Sequence, residues 1–274
     1  MGEITPRSRD RIIGARLKAI RRERANLSLE NAAKRAQWAP ARLSRTENGK
    51  RQVTTEEAAT LLTVYGLPVS EREEVLAQMQ AGSSSGWWDR RLPGVPPEVG
   101  ALASYEADAI ELVDVNVNVV PGLLHTYETG VAVLAAADMP PDDIETQWMA
   151  RLRRQQILGK LDYAAFVGEM AVRTPFGGRA AHREQIEHLL AVRERGIVVR
   201  VVPALQTRVL VLHSFLWMRF ANTTPVVHVE MNSGAQFLHD QDADAYSSTL
   251  RRLDRIALSD NESRKLMAAL SEGA

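Results

Sequence analysis

The chain has 274 residues, of which 45% are hydrophobic and 25% charged, as in ordinary globular proteins of one or two domains. It contains no cysteine, which excludes disulfides, cysteine-bound zinc, iron–sulfur clusters and thiol catalysis. No apolar run is long enough for a membrane span and no signal peptide opens the sequence, so we expect a cytoplasmic protein without membrane contact.

The net charge of zero conceals an asymmetry along the chain. Residues 1–55 carry 14 Arg and Lys against 5 Asp and Glu, a net charge of +9, and the remainder carries −9. Such a basic segment indicates contact with an anion such as nucleic acid, although a solvated helix face has the same composition. Charge alone leaves both interpretations open.

Five short helices are predicted in the first 80 residues. Ser8 and Ser28 can cap the first two, and Pro40 fits the first turn of the third, where its missing N–H does no harm. The last two open with capping boxes, formed by Thr54 with Glu57 and by Ser70 with Glu73. With their caps, the helices span about 8–23, 28–35, 39–47, 54–65 and 70–80.

The stretch "AGSSSG" at 81–86 is typical of a flexible joint. The adjacent Trp87 and Trp88 are more typical of a packed anchor than of a ligand cage. We therefore predict a helical domain at 1–80, a linker with a tryptophan anchor at 81–97, and a second domain at 98–274.

The second domain is predicted to be α+β, with a small sheet flanked by helices. Residues 98–158 have the pattern of three helical segments, and a further helix is predicted at 179–195. Four stretches are strand-like: "YAAFV", "IVVRVV", "FLWMRF" and "VVHVE". The last strands resemble a meander joined by "ANTTP" and "MNSGA", and helices at 241–256 and 260–270 close the chain.

A helix-turn-helix motif is predicted at 28–47. The helix capped by Ser28 is followed by a turn near Gln37 and by a second helix at about 39–47, which would enter the major groove of double-stranded DNA. Asn48 and Gly49 tolerate positive φ and therefore stop this helix at the edge of the groove.

Side chains of the second helix and of the residues after it are the expected DNA contacts. Arg42 and Arg45 lie three residues apart and share one face, and the Arg fork matches O6 and N7 of guanine. The alternative for Arg45 is a pair with a carboxylate on the domain surface. Base contacts are predicted for Ala41, Arg42, Ser44 and Arg45, and backbone contacts for Ser28, Lys50 and Arg51.

The stretch "LKAIRRERANLSLENAAKRAQWAPARLSRTENGKR" resembles the Cro/cI (Xre-type) helix-turn-helix. Further segments, "WWDR", "YEADA", "VPGLLHTYE", "RLRRQQIL" and "RTPFGG", resemble the Scr1-type antitoxin-like regulators, which join such a domain to an uncharacterised C-terminal domain. The resemblance covers nearly the whole chain. It implies a transcription regulator, often encoded beside a small partner protein.

The chain departs from that family at several positions. Leu29 stands where many members have a Gln that touches phosphate. Gln37 replaces the usual turn glycine, which implies a non-glycine residue near the left-handed conformation or a different turn. Trp38 replaces a small apolar residue and could either fill the core or be exposed. The third helix begins "APAR", which shifts base recognition toward Arg42 and Arg45.

Other sites have little support in the sequence. His182 and His188 do not share a helix face, and His228 with Glu230 lacks a third metal ligand. "DQDADA" at 240–245 begins like a calcium loop, but Ala245 and Arg251 stand at its glycine and glutamate positions. Gly177 and Gly178 precede a helix without P-loop spacing. We therefore expect no metal, no cofactor and no enzyme activity.

The main hypothesis is a homodimeric, sequence-specific DNA-binding regulator. Its C-terminal domain would serve for dimerisation and for sensing a small ligand or a partner protein. The alternative is an antitoxin-like interaction module that binds a small partner protein and for which DNA contact is secondary.

Overall fold

The computed structural model describes residues 8–81, 88, 94–221, 223–231 and 234–272. Its contacts divide the chain into two compact units. Unit 1 comprises Met1–Leu92 and Pro96–Asp108, and unit 2 comprises Pro93–Val95 and Ala109–Ala274. Within the described residues, no helix is long and apolar enough to cross a membrane.

The described part of unit 1 is helical. Its helices are α1 (Ser8–Ala19), α2 (Leu29–Arg35), α3 (Pro40–Glu47), α4 (Thr55–Val64), α5 (Val69–Ala81) and α6 (Pro97–Asp108). A π-helical turn, Ile20–Arg24, extends α1. The capping box of Thr54 and Glu57 is present. The one predicted for Ser70 and Glu73 is wrong, because α5 already begins at Val69 and Ser70 lies inside its first turn.

The core of unit 1 depends on close approach of short helices. Leu17, Leu43 and Leu61 are completely buried, and the small side chains of α2 lie against them. At Gly14 the helices α1 and α3 come so close that a Cβ atom would lie 2.3 Å from the carbonyl oxygen of Thr46. A side chain at position 14 is therefore incompatible with this packing.

Helix α6 belongs to unit 1 because it packs on α1. Tyr105 of α6 is 1% exposed, and burial raises the pKa of its hydroxyl. The compact units thus divide the chain differently from the predicted domains 1–80 and 98–274. Trp88 is half-buried and its carbonyl oxygen lies beside Gly100, whereas Trp87 and most of the predicted linker lie outside the described residues.

Unit 2 contains a mixed sheet of six strands in the order β3-β2-β1-β4-β5-β6. The strands β1, β2 and β3 are parallel, and β4, β5 and β6 continue from β1 as an antiparallel meander. Their bounds are β1 (Glu111–Asn116), β2 (Asp162–Gly168), β3 (Val198–Val202), β4 (Phe215–Arg219), β5 (Val226–Met231) and β6 (Gly234–His239). The meander confirms the prediction, but the sheet is larger than the small one expected.

Strand β1 was wrongly predicted to be part of a helical region. Its sequence ELVDVN contains two acidic residues, which obscure the pattern of a buried strand. The structure explains one of them, since the carboxylate of Asp114 is buried and accepts a hydrogen bond of 3.0 Å from the Tyr163 hydroxyl of β2. A long-range partner therefore allows an acid in the middle of the sheet.

Helices lie around this sheet. They are α7 (Tyr127–Ala136), α8 (Pro141–Gln155), α9 (Glu169–Arg173), α10 (Arg179–Ala191), α11 (Gln241–Ile256) and α12 (Asp260–Glu272). A hydrophobic cluster joins one face of the sheet to α11, with Phe215, Val227 and Leu253 at its centre.

The two edges of the sheet differ. At β3 the edge is covered, because Val201 accepts a hydrogen bond from Leu258 N and donates one to Ser263 Oγ, each of 2.9 Å. At β6, the backbone hydrogen bonds found among the described residues all go to β5. Strand β6 is thus the edge strand of the sheet on this side.

Candidate nucleic-acid interface

The turn between α2 and α3 has the predicted geometry. Ser28 caps α2, its hydroxyl accepting a hydrogen bond of 3.2 Å from Asn31 N. Gln37 has a φ of 58°, so a non-glycine residue occupies the left-handed position of the turn. The backbone N–H of Trp38 then closes the turn by donating to the carbonyl of Ala33 at 2.9 Å. These bonds fix the direction in which α3 leaves α2.

The end of α3 is a Schellman motif. Lys50 N donates to the carbonyl of Arg45 at 2.8 Å, and Gly49 N donates to that of Thr46 at 3.1 Å. Gly49 has a φ of 63°, and a Cβ atom there would lie 2.5 Å from the Cα of Arg11. The glycine is therefore required both by its conformation and by the close approach of α1.

A buried ion pair anchors the same end of α3. The Nε and Nη2 atoms of Arg21 donate to the two carboxylate oxygens of Glu47 at 2.7 and 2.8 Å. Arg21 Nη1 donates to the carbonyl of Leu27 at 2.7 Å, and the Tyr65 hydroxyl donates to Glu47 at 3.0 Å. The hydrogen bond and the charge of Glu47 raise the pKa of Arg21 against the effect of burial. The network joins the π-helical turn after α1 to the C-terminal ends of α3 and α4 and orients the predicted recognition helix.

Two of the predicted DNA contacts, Arg42 and Arg51, share the carboxylate of Glu57. Arg42 donates to it at 2.6 Å and Arg51 at 2.9 and 3.0 Å. Although burial acts to raise it, the hydrogen bonds from both arginines lower the pKa of Glu57 to about 2. The three residues together therefore present one positive charge rather than two.

Trp38 completes this cluster. The guanidinium of Arg42 lies 4.0 Å from the centroid of the Trp38 ring, a distance typical of a cation–π contact. One side of the ring packs against the core of unit 1, and the ring as a whole is half-buried. Trp38 is therefore neither a core residue nor fully exposed. Leu29 packs against the same core, which accounts for an apolar side chain at that position. Sequence reasoning identified Glu57 as part of a capping box but missed its ion pairs with Arg42 and Arg51, because nothing in its spacing links it to Arg42.

Arg45 differs from its neighbours. Its side chain is exposed, and within the described residues it has no hydrogen-bond or ion-pair partner. Ala41 and Lys50 are exposed as well, and Ser44 is half-buried with its hydroxyl 3.4 Å from Asn48 Nδ2. Arg45 is thus the arginine of α3 whose donors are free to meet a ligand.

Comparison with known proteins agrees with this geometry. A family model described as a helix-turn-helix domain matches residues 12–75. Together with the fold of unit 1, this match defines a helix-turn-helix protein and indicates a DNA-binding regulator. A second model, described as a domain of unknown function (DUF5753), matches residues 99–269, and the chain belongs to this family. No curated protein and no solved structure matches the chain.

Proposed function

We propose that the chain is a sequence-specific transcription regulator of the Cro/cI type and not an enzyme. The proposal depends mainly on one observation: Arg45 is exposed and unpaired on a helix whose end is fixed by the Arg21–Glu47 ion pair. A rigid helix that presents a free guanidinium is suited to bidentate contact with guanine in the major groove.

The expected contacts divide into three groups. Arg45 would contact a base edge, with Ala41 and Ser44 close to the same bases. Lys50 and the N-terminus of α2 at Ser28 would meet phosphates, which fix position but carry no sequence information. Arg42 and Arg51 would have to exchange Glu57 for DNA, so we expect weaker contributions from them.

Genome-wide mapping of the DNA that the protein occupies tests this function. We expect a limited set of sites that share one sequence motif. An occupancy profile indistinguishable from that of an untagged control strain would contradict the proposal. Occupancy at sites without a common motif would contradict sequence specificity.

We further propose that the protein is a homodimer whose contact lies in unit 2. A single helix-turn-helix reaches one half-site, and a two-fold dimer reaches two half-sites about 10 bp apart or a multiple of this. The position of β6 at the edge of the sheet supports the proposal, because its sequence GAQFLH carries no charged residue and no proline, and two antiparallel copies of one edge strand are self-complementary.

Sedimentation of the full chain and of fragment 1–108 tests the dimer. We expect a dimer and a monomer, respectively, and much weaker DNA binding by the fragment. Proline at 236 or at 237 sharpens the test, because successive N–H groups of a strand point to opposite edges. One of the two variants should fold and yet sediment as a monomer. Dimers in every folded variant would contradict an edge contact.

A second candidate function is the binding of a small partner protein, as in antitoxin-like regulators. It is supported by three leucines, Leu205, Leu210 and Leu212, which are strongly exposed in the segment between β3 and β4. Co-purification with the product of an adjacent gene, lost when the three are changed to Ser, is the expected result. Unchanged co-purification would remove this segment from the interface.

A further inference from the structure

The carboxylate of Glu57 accepts four hydrogen bonds from three residues of unit 1. Its Oε1 atom accepts from Arg42 Nη2 at 2.6 Å and from Arg51 Nη2 at 2.9 Å. Its Oε2 atom accepts from Arg51 Nη1 at 3.0 Å and from the backbone N–H of Thr54 at 3.1 Å. Four bonds match the capacity of an ionised carboxylate, so Glu57 is the common partner that fixes both guanidinium groups.

Further contacts hold the two guanidinium groups in place. Arg51 Nη1 also donates to the Thr46 hydroxyl at 3.1 Å, and that hydroxyl donates to the carbonyl of Arg42 at 3.0 Å. The centroid of the Trp38 ring lies 4.0 Å from the guanidinium carbon of Arg42 and 5.8 Å from that of Arg51. The cluster thus joins α3, the turn after it and the first turn of α4.

The cluster lies at the surface, beside the expected DNA contacts. The side chain of Arg42 is 41% exposed and that of Arg51 is 27% exposed, whereas that of Glu57 is 16% exposed. Arg42 precedes the exposed Arg45 by three residues on α3, so the two lie on one side of the helix. A phosphate that reached Arg42 would therefore come close to the Glu57 carboxylate, whose negative charge repels it.

Glu57 carries its negative charge at neutral pH. Although burial acts to raise it, the hydrogen bonds from Arg51 and Arg42 lower the pKa of Glu57 to about 2. The cluster therefore presents one net positive charge, where the two arginines alone would present two. Because each cation that neutralises a phosphate releases counterions from DNA, the loss of one net charge weakens binding to the DNA backbone.

We propose that Glu57 is an internal competitor of the DNA backbone, which occupies Arg42 and Arg51 in the free protein and is displaced when either arginine contacts a phosphate. The inference rests on the proposed DNA binding and adds a regulation of its strength. Phosphates carry no sequence information, so Glu57 weakens binding to every sequence alike. Discrimination between sequences is left to Arg45, which has no such partner among the described residues.

Removal of the Glu57 charge tests this proposal, because it should strengthen DNA binding rather than weaken it. In Glu57→Gln, the amide oxygen can still accept the capping hydrogen bond from Thr54. We expect affinity for the cognate site and for a scrambled sequence to rise equally, by roughly three- to tenfold, and the salt slope to steepen by about one unit. Unchanged affinity, or a gain on the cognate site alone, overturns the proposal.

Matched variants separate the release of the two arginines from a general change of charge. Glu56→Gln is the control, since Glu56 is the adjacent residue of α4, is exposed and has no arginine partner among the described residues. It changes the net charge equally, so a gain as large as that of Glu57→Gln would refute a specific role of Glu57. Changing Arg42 and Arg51 to Gln as well should remove the gain of Glu57→Gln. A gain that survives this triple change also counts against the proposal.

Elution from heparin separates this inference from the proposed function. Heparin is a polyanion without bases, so it reports the release of the two arginines whether or not the protein prefers a DNA sequence. Glu57→Gln should elute at higher salt than both the parent and Glu56→Gln. If this order holds but the parent prefers no DNA sequence, the proposed function alone is wrong.

Coelution of Glu57→Gln and Glu56→Gln from heparin would instead overturn the role of Glu57, even where the parent prefers one DNA sequence. If Glu57→Gln does not fold, Glu57→Asp replaces it, because the shorter side chain draws the carboxylate back from the arginines. It should shift elution in the same direction by a smaller amount, and the absence of any shift would then decide against the proposal.

Discussion

Each of the two units contains an arginine that is largely removed from solvent, and the two arginines differ in their partners. In unit 1, Arg21 uses Nε, Nη1 and Nη2 in hydrogen bonds, and Glu47 neutralises its charge. In unit 2, Arg151 donates to the neutral ring of His125 and has no carboxylate partner among the described residues. The comparison shows that burial alone does not define the role of a charged residue. A buried cation that is paired with its counterion has a structural role, whereas a cation without a counterion can still bind an anion.

The largest expected effect concerns the buried Arg21–Glu47 ion pair of unit 1. Glu47→Ala leaves the Arg21 cation buried without a counterion and should lower the free energy of unfolding by about 3–5 kcal/mol. Arg151→Gln removes a cation that has no counterion, and should change the same quantity by less than about 1 kcal/mol. Urea denaturation followed by circular dichroism measures both.

Glu73→Ala, which removes an exposed carboxylate from α5, is the control for Glu47→Ala. Its free energy of unfolding should stay within about 0.5 kcal/mol of the parent value. Equal losses for Glu47→Ala and Arg151→Gln would contradict the distinction between the two arginines.

The next effect tests the close packing that supports α3 in unit 1. Gly14→Ala places a methyl group 2.3 Å from the carbonyl oxygen of Thr46 and should cost about 1–3 kcal/mol, because α1 and α3 must separate. Gly100→Ala in α6 is the matched control, since its methyl group would lie at an ordinary 3.5 Å from the nearest atom. A Gly14→Ala protein as stable as the Gly100→Ala protein would refute this view of the packing.

A smaller effect concerns the pH dependence of the Glu57 cluster. The pKa of Glu57 is lowered from 4.5 to about 2, so its contribution to stability is complete above pH 4.5 and is lost as the pH falls toward 2. The parent protein should therefore lose more stability than Glu57→Gln between these pH values. Glu73→Gln serves as the control, and the measurement is Tm against pH. Parallel curves for parent and Glu57→Gln would show that the cluster is not formed in solution.

Local signals in the sequence predicted much of unit 1. Ser28, Thr54 and Pro40 open helices where expected, and Asn48 with Gly49 ends α3. These features depend on interactions between residues that are close together in the chain, so the local sequence pattern predicts them. The left-handed conformation of Gln37 is one of the two alternatives that the sequence left open, the other being a different turn.

Features that depend on distant residues were not predicted. Strand β1 is recognisable through its pairing with β2 and β4 and through the bond from Tyr163 to Asp114, which is 49 positions away. The pairing of Arg42 and Arg51 with Glu57 joins α3, the following turn and α4. Sequence spacing identified the cations of the candidate interface but not the carboxylate that holds two of them.

The central claim, that Arg45 contacts a base whereas its neighbours are held by Glu57, is tested most directly by DNA binding of Arg45→Ala. Affinity for the cognate site and for a scrambled sequence, each at several salt concentrations, is the measurement, with Lys50→Ala as the matched loss of a phosphate contact. We predict that Arg45→Ala loses about 1–3 kcal/mol on the cognate site alone and relaxes preference at one base pair. Lys50→Ala should weaken both sequences alike and reduce the salt slope by about one unit. Equal losses on both sequences for Arg45→Ala would contradict the account.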